Sequence, residues 1–168
     1  MNRLPQATRR SARAILIDEH GRLLPIRRRK PGRAPYWTTP GGGVEPTDAT
    51  LESALHRELA EELGATAVCV ELVLELRAET DQGLALQYVF LAALTGIDEA
   101  ARTGEEFTDT TRGSYDLDRI DLRTDRLSTI DLVPHELKAF VIEHREPLIR
   151  RADAARRDGN LRMLPESR

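Results

Sequence analysis

The segment "TPGGGVEPTDATLESALHRELAEELGA", residues 39–65, joins three consecutive glycines to a helix whose second half carries three glutamates. Glycine has no Cβ, so the backbone at Gly41–Gly43 can bend freely and other groups can approach it closely. Apolar residues recur at helical spacing at Leu51, Leu55, Leu59 and Leu63. This pattern predicts a helix from about Thr50 to Leu63 that ends at Gly64, with its leucine arc buried against a sheet.

The glutamates occupy positions that do not suit a solvated helix face. Relative to Leu51, Glu62 falls at about +20° and Glu58 at about −20°, while Glu61 falls at about −80°. Glu62 therefore lies inside the apolar arc and Glu58 at its edge. Acids at a half-buried border repel one another and resist desolvation. They also lie in the last turns, where the helix dipole disfavours negative charge. A divalent cation would remove the conflict, which makes the three glutamates candidate metal ligands.

The type of donor indicates the type of metal. Ligand sets made only of oxygen favour Mg²⁺ or Mn²⁺ over zinc, and Mg²⁺ usually keeps open positions for substrate phosphates. A glycine loop leaves no side chain between backbone and phosphate, and a carbonyl of Gly42 or Gly43 could join the metal shell. Arg57 could pair with a neighbouring glutamate and fix its rotamer. A glutamate-rich helix end can also be a solvated face and a triple glycine a plain loop, but the two together favour the metal site.

The same stretch, from residue 41 to residue 65, resembles the signature of the Nudix hydrolases, G-x5-E-x7-R-E-U-x-E-E-x-G-U with U apolar. The second half matches without gaps at Arg57, Glu58, Leu59, Glu61, Glu62, Gly64 and Ala65. The first half departs, because its loop is one residue longer and Asp48, or Ala49 on strict counting, replaces the first glutamate. In similar proteins that glutamate is an outer contributor to metal binding. The resemblance therefore makes Asp48 an expected metal contact and leaves the metal number or affinity open.

The resemblance implies an α/β (α+β) fold, an α/β/α sandwich in which the signature helix and a C-terminal helix pack on a mixed β-sheet. We expect one Nudix domain over 1–168, with a core at about 10–150 and a mobile or helical tail at 151–168. The local patterns predict a hairpin of strands 12–18 and 22–27, a brief strand in "YWTTP", strands in "VELVLELRAE", "LALQYVFLAAL" and "SYDLDRIDL", and a helix in "VPHELKAFVIEHREPLIRRA". In the first of the long strands Val70, Leu72, Leu74 and Leu76 are expected to share one face.

The resemblance also implies the chemistry. Family members cleave a nucleoside diphosphate linked to another moiety, by attack of water on phosphorus. Glu58, Glu61 and Glu62 then correspond to metal ligands and Arg57 to the orienting arginine. The general base is either Glu58 or an acid of a later loop, where "TGEEFTDTTRGSY" offers Glu105, Glu106 and Asp109. Of these we favour Glu106, because similar proteins place a glutamate two residues after a glycine at this point.

Candidates for substrate binding are Arg13, Arg27, Arg29 and Trp37. In a strand only alternate residues share a face, so Arg27 and Arg29 could reach a phosphate while Arg28 points away. A solvated basic edge that discourages strand pairing is the alternative for these arginines. Trp37 could stack on a base or belong to the core.

Composition limits the partners. A net charge of −3 does not favour nucleic-acid binding. No apolar run approaches the length needed to span a membrane, and the N-terminus lacks the apolar stretch of a secretory signal. We therefore expect a cytoplasmic protein with a nucleotide-type small-molecule substrate. A homodimer is compatible with the resemblance, since dimers are frequent among similar proteins.

The sequence leaves three other activities open. A Nudix-fold module that binds a nucleotide derivative without turnover would be expected to have lost one of the three glutamates, and this chain keeps all of them. A member acting on RNA 5′ ends is disfavoured by the net charge, although the basic run at 27–30 speaks for it. An isopentenyl diphosphate isomerase would need a different cysteine arrangement from the single, buried-looking Cys69.

Overall fold

The computed structural model describes residues 8–103 and 113–162, with side chains up to Gly159. Its strands are β1 (Thr8–Ile17), β2 (Arg22–Leu23), β3 (Ile26–Arg29), β4 (Tyr36–Thr38), β5 (Gly41–Gly43), β6 (Ala65–Thr80), β7 (Gly83–Ile97), β8 (Ser114–Leu117), β9 (Ile120–Asp121) and β10 (Leu132–Val133). Its helices are α1 (Leu51–Leu63), α2 (Arg126–Thr129) and α3 (His135–Arg162), with a short 3-10 helix at Glu99–Ala101.

The strands form two sheets. The larger has the order β6-β7-β1-β2-β9, with β5 paired to β1 as well, and the smaller has the order β10-β4-β3-β8. Strands β1 and β7 run parallel over ten residue pairs, whereas β6 and β7 form a long antiparallel hairpin. The larger sheet is therefore mixed, as the α/β expectation requires.

Strand β1 shows how the layers arise. Ala12, Ala14 and Leu16 are buried in the cluster that holds the α1 leucines. Ile15 and Ile17, which point to the opposite face, are buried in the cluster that holds the apolar residues of α3. Because neighbouring strand residues alternate between faces, one central strand fills two cores. The result is the α/β/α arrangement, with α1 on one face of the sheet and α3 on the other.

Helix α1 has well-defined ends. Thr50 caps its N-terminus, since the amide of Ser53 donates to the Thr50 hydroxyl and the amide of Thr50 donates to the Ser53 hydroxyl. This reciprocal pair satisfies two amides that the first turn leaves without partners. At the other end Gly64 adopts a left-handed conformation with φ 62°. The predicted bounds of this helix are confirmed.

Two segments that were each predicted to form one strand form two strands instead. The stretch 22–27 divides at Leu24–Pro25 into β2, which belongs to the larger sheet, and β3, which belongs to the smaller one. Proline lacks the amide needed to continue a ladder, which explains the break. The stretch "SYDLDRIDL" divides in the same way into β8 and β9. The chain thus crosses between the two sheets at both places.

The expected apolar face of β6 is confirmed for Val70, Leu74 and Leu76, which pack against the core on the α3 side, and is corrected at Leu72. Leu72 is 45% exposed, whereas Val73, predicted to point the other way, packs against the core on the α3 side. The pairing of β6 with β7 shifts register between Cys69 and Glu71 and again between Leu72 and Leu74. Each bulge adds one residue to the strand and so reverses the alternation.

Helix α3 covers the second face. Leu137, Val141 and Leu148 are buried there, and non-helical backbone at His144 marks a kink three residues before Pro147. Among the residues that the structure describes, no helix is long and apolar enough to cross a membrane.

Candidate active site

The glycine run lies beside the central strand. Gly41, Gly42 and Gly43 pair antiparallel with Arg13, Ala12 and Ser11. The backbone of Gly41 has φ 136°, and a Cβ there would lie 2.1 Å from the carbonyl oxygen of Ala12. Only glycine fits this close crossing. Arg13 secures the turn, because its Nη1 donates to the carbonyls of Thr39 (3.1 Å) and Gly41 (3.2 Å).

The glutamates of α1 meet this glycine run. Glu62 is only 8% exposed, and its Oε2 accepts a hydrogen bond of 2.8 Å from the amide of Gly41. A Cβ placed on Gly42 would lie 2.5 Å from the carboxylate of Glu58, so the space that a side chain would fill is taken by this carboxylate. The Glu58 side chain is 17% exposed and that of Glu61 is 42% exposed. The half-buried acidic border predicted from the helix angles is therefore present.

Arg57 lies among the acids as their counter-charge. Its Nη1 donates to Glu58 Oε1 (2.9 Å) and Glu61 Oε2 (3.2 Å). Its Nε and Nη2 donate to the two oxygens of Asp48 at 3.0 and 2.9 Å, and Nη2 also donates to the Gly43 carbonyl at 2.9 Å. A guanidinium with five donors in a planar fork suits such a position. One arginine thus ties the glycine run to the acidic face of α1.

These contacts shift two pKa values. The hydrogen bonds from Arg57, then that from the Glu45 amide, hold the pKa of the Asp48 carboxyl below its usual range. The hydrogen bond to Asp48, followed by the contacts with Glu58, raises the pKa of Arg57 above its ordinary value. Both shifts favour the charged forms, as expected for a paired ion that accepts or donates several hydrogen bonds.

The donor set fits a hard divalent cation in its chemistry. Three carboxylates lie on one helix face beside backbone carbonyls of a glycine run, and all of these donors are oxygen. In residues 8–103 and 113–162, however, no three His, Cys, Asp or Glu side chains are arranged to hold one ion. Arg57 engages Glu58 and Glu61, and the Gly41 amide engages Glu62. Binding a cation at this donor set therefore requires these side chains to reorient.

Asp48 has a different immediate role from the one its place in the signature suggests. Both of its oxygens accept hydrogen bonds from Arg57, and Oδ2 also accepts from the Glu45 amide at 2.8 Å. Its side chain is only 6% exposed. Asp48 thus holds the guanidinium that contacts the glutamates. Its direct contact with a metal stays a prediction.

Three of the predicted substrate residues, Arg27, Arg29 and Trp37, share one face of the smaller sheet, whereas Arg13 lies on β1 of the larger one. Arg27 faces Trp37 and Asp116 across the strands, and its Nη2 is 3.8 Å from Asp116 Oδ2. The indole of Trp37 packs on the core and donates to Asp118 Oδ2 at 3.0 Å. Arg29, at the end of β3, is exposed. Substrate binding by these residues stays a prediction.

Arg28 points to the other face, as the strand alternation predicts. Its guanidinium lies 3.5 Å from the centre of the Tyr115 ring and 5.9 Å from that of Tyr36, which Arg33 covers at 3.9 Å. This is also the face of Ile26, which is buried with the α1 leucines.

The loop acids Glu105, Glu106 and Asp109 lie outside the described residues. The last described residue before them, Thr103, donates its amide to the Glu61 carbonyl at 2.9 Å. The sequence reasoning also missed Arg102, whose Nε donates to the Glu62 carbonyl at 2.9 Å. The only signal for it was indirect, because the last turn of α1 carries two acids and no basic residue.

A comparison with protein-family models matches the NUDIX domain over residues 7–134, about three quarters of the chain. Among solved structures, the chain is similar to the Escherichia coli ORF135 protein, with 22% identity and a TM-score of 0.57 over 96% of this chain and 95% of that one. It is also similar to a MutT protein from Methanosarcina mazei Go1, with 21% identity and a TM-score of 0.60 over 86% and 97%.

A NUDIX hydrolase from Nitrosomonas europaea shares 18% identity with a TM-score of 0.55, over 96% of this chain and 98% of that one. At such identities the structural likeness supports the fold. A comparison with curated proteins found no match.

Proposed function

Because this chain belongs to the Nudix family and is a hydrolase of pyrophosphate bonds, we propose that it cleaves a nucleoside diphosphate linked to another moiety with the help of Mg²⁺ or Mn²⁺. Family members act on nucleotide derivatives and generally need a divalent metal. The observation that carries the proposal is the meeting of the Glu58 and Glu62 carboxylates with the glycine run, at Gly42 and at the Gly41 amide.

The residues proposed to hold the cation are Glu58, Glu61 and Glu62, with a carbonyl of Gly42 or Gly43 and an outer contribution from Asp48. When bound, the cation supplies neutralisation of phosphate charge and makes water more acidic. At Gly43, where a Cβ would meet no atom within 4 Å, the bare backbone leaves room for the diphosphate. Arg57 keeps the acidic side chains ordered, which is how a neighbouring group tunes a metal site.

The reaction is an in-line displacement at phosphorus. A water oxygen forms the new bond, the bridging P–O bond breaks, and the attacking water gives its proton to a carboxylate. Glu58 is a proposed base, because it is the least exposed of the three glutamates that Arg57 contacts. Glu106 is the proposed alternative. Glu106→Gln should cut turnover sharply while Mn²⁺ affinity barely changes, and wild-type rates in this variant would remove it from the mechanism.

The finer attributes of the protein are proposals of the same kind. We place the diphosphate or its leaving moiety near Arg13, Arg27, Arg29 and Trp37, with Arg13 supported by its contacts to Thr39 and Gly41. A single domain over 1–168, a cytoplasmic location and a homodimer complete the proposal.

The decisive experiment is a substrate screen with Mg²⁺ or Mn²⁺. The compounds are nucleoside triphosphates, dinucleoside polyphosphates, ADP-ribose, nucleotide sugars and NAD(H), and Glu61→Gln and Glu62→Gln run in parallel. Turnover that disappears in both variants is the expected result. If the wild type binds metal and nucleotide yet turns over none of these compounds, the protein is a binding module and the proposal fails.

A further inference from the structure

The last turn of α1 has an electrostatic problem that its own sequence does not solve. Glu61 and Glu62 lie where the helix dipole is negative, and no basic residue belongs to that turn. The final carbonyls of a helix also need donors from outside it. Here they receive them from the segment that follows β7. The amide of Thr103 donates to the Glu61 carbonyl, and the amide of Asp98 donates to the Gly64 carbonyl at 2.9 Å.

Arg102 supplies the missing cation. Its Nε donates to the Glu62 carbonyl at 2.9 Å, and its Nη2 donates to the Tyr115 carbonyl at 3.2 Å. The half-buried side chain therefore joins the end of α1 to β8 of the smaller sheet. Strand β8 is in turn fixed by the ladder with β3, where the Tyr115 ring stacks on Arg28. The bridge connects the acidic helix to a rigid element.

Glu62 is consequently held at two points. Its main-chain carbonyl is bound by Arg102, and its carboxylate is bound by the amide of Gly41. We propose that Arg102 is a positioning residue that fixes the last turn of α1 so that Glu61 and Glu62 face the glycine run. This inference rests on the proposed metal site. Arg102 contacts the backbone of Glu62, so it acts through the helix and is no metal ligand.

Arg156 offers a matched control on the other side of the sheet. Its Nε donates to the Leu94 carbonyl at 2.9 Å and its Nη2 to the Ile17 carbonyl at 2.8 Å. Arg156 thus joins α3 to strands β1 and β7, as Arg102 joins α1 to β8. Both arginine side chains are half-buried. Loss of either bridge should lower stability, whereas only the Arg102 bridge should affect the acids.

The experiment compares Arg102→Gln, Arg102→Lys and Arg156→Gln in the full chain. Mn²⁺ binding is measured by calorimetry, kcat and KM by steady-state kinetics, and melting temperature by scanning fluorimetry. In Arg102→Gln we expect the dissociation constant for Mn²⁺ to rise about tenfold or more, kcat to fall and KM for the nucleotide to stay unchanged. Arg102→Lys should give Mn²⁺ affinity and kcat between those of the wild type and Arg102→Gln, because lysine keeps the positive charge but lacks the planar set of guanidinium donors. Arg156→Gln should lower the melting temperature and leave Mn²⁺ binding as in the wild type.

A second measurement separates this inference from the proposed function. Hydrogen exchange of the peptides covering 59–65 and 40–43 reports the last turn and the glycine run without any metal. Faster exchange there in Arg102→Gln, but not in Arg156→Gln, supports the positioning role even if the wild type binds no Mn²⁺. Unchanged exchange, or equal loss of Mn²⁺ affinity in the two variants, would overturn it.

Discussion

Two arginines on opposite faces of the sheet show how differently this fold treats the same side chain. Within the part of the chain that the structure describes, Arg57 has four carboxylates within 4 Å, from Glu45, Asp48, Glu58 and Glu61. Among the same residues Arg156 has a single carboxylate partner, Asp153 at 2.9 Å, and otherwise binds backbone carbonyls. The first cluster carries excess negative charge and the second is balanced.

The difference separates function from scaffold. A balanced ion pair that also satisfies carbonyls stabilises the docking of α3 at little electrostatic cost. Four acids around one cation repel one another, so the three glutamates gain less from Arg57 than Asp48, whose two oxygens both accept hydrogen bonds from it. Such an excess becomes favourable when a further cation joins the cluster. The acidic cluster is therefore the part of the molecule where we propose that a cation binds, and the Arg156 bridge is part of the framework.

The strongest test of this contrast removes one acid. Glu58→Gln should lower turnover by roughly two to four orders of magnitude, the range reported for loss of an acid–base group, while the free energy of unfolding stays the same or rises because repulsion is relieved. Steady-state kinetics and urea denaturation measure the two effects. Asp153→Asn is the control, for which we expect normal turnover and slightly lower stability. A large loss of stability in Glu58→Gln would contradict the separation.

The three glycines allow a sharper test within the acidic region. In Gly42→Ala the new methyl group meets the Glu58 carboxylate, the flexible end of a side chain. We expect near-normal stability and turnover reduced by about one to two orders of magnitude, because small displacements of catalytic groups are costly. Denaturation and kinetics on the same preparations give both values.

Its two neighbours are the controls. Gly41→Ala places a methyl group against the Ala12 backbone at φ 136°, so it should destabilise the fold by at least about 2 kcal/mol. Gly43→Ala meets nothing within 4 Å and should be neutral for stability. If all three variants lost stability to the same degree, the glycine run would be a structural turn and no more.

The Asp48–Arg57 pair predicts a modest effect of acid. The pKa of Asp48 is lowered in the folded state, so its ionised form stabilises the fold at neutral pH. This contribution is complete above the unfolded pKa, at about 4, and is lost as pH falls through the folded value. Denaturation between pH 2 and 7 should therefore show a smaller decline in Asp48→Asn than in the wild type. Parallel curves for the two proteins would show that the pair adds nothing.

The prediction that bears least on activity concerns Cys69 on β6, where the scaffold disfavours a charge. Burial, followed by the negative charge of Glu52, raises the pKa of this thiol to about 11. At pH 8 its thiolate fraction should be about two orders of magnitude below that of a free cysteine, which slows alkylation correspondingly. Iodoacetamide labelling followed by mass spectrometry, from pH 7 to 11, measures the rate. Labelling as fast as that of glutathione at pH 8 would refute it.

The sequence predicted what depends on local geometry. The bounds of α1 and the burial of Glu62 follow from a constant angle per residue, so the leucine spacing was sufficient. The exposure of Leu72 could not be predicted from the sequence, because bulges in β6 depend on the register with β7. The crossing between sheets at Pro25 could not be predicted either, because it depends on the pairing partners of β2 and β3, which lie in different sheets. Arg102 could not be predicted because its partners, Glu62 and Tyr115, are brought to it only by the fold.

The parallel ladder between β1 and β7 has a consequence for how the protein is made. Each residue of β1 pairs with one 76 positions later, from Thr8 with Leu84 to Ile17 with Ala93. Helix α1 lies within the loop that this pairing closes, and its leucines share one buried cluster with residues of both strands. Long-range closure of this kind is entropically slow. On the ribosome, the acidic helix can settle against its complete support only after Ala93 has left the exit tunnel.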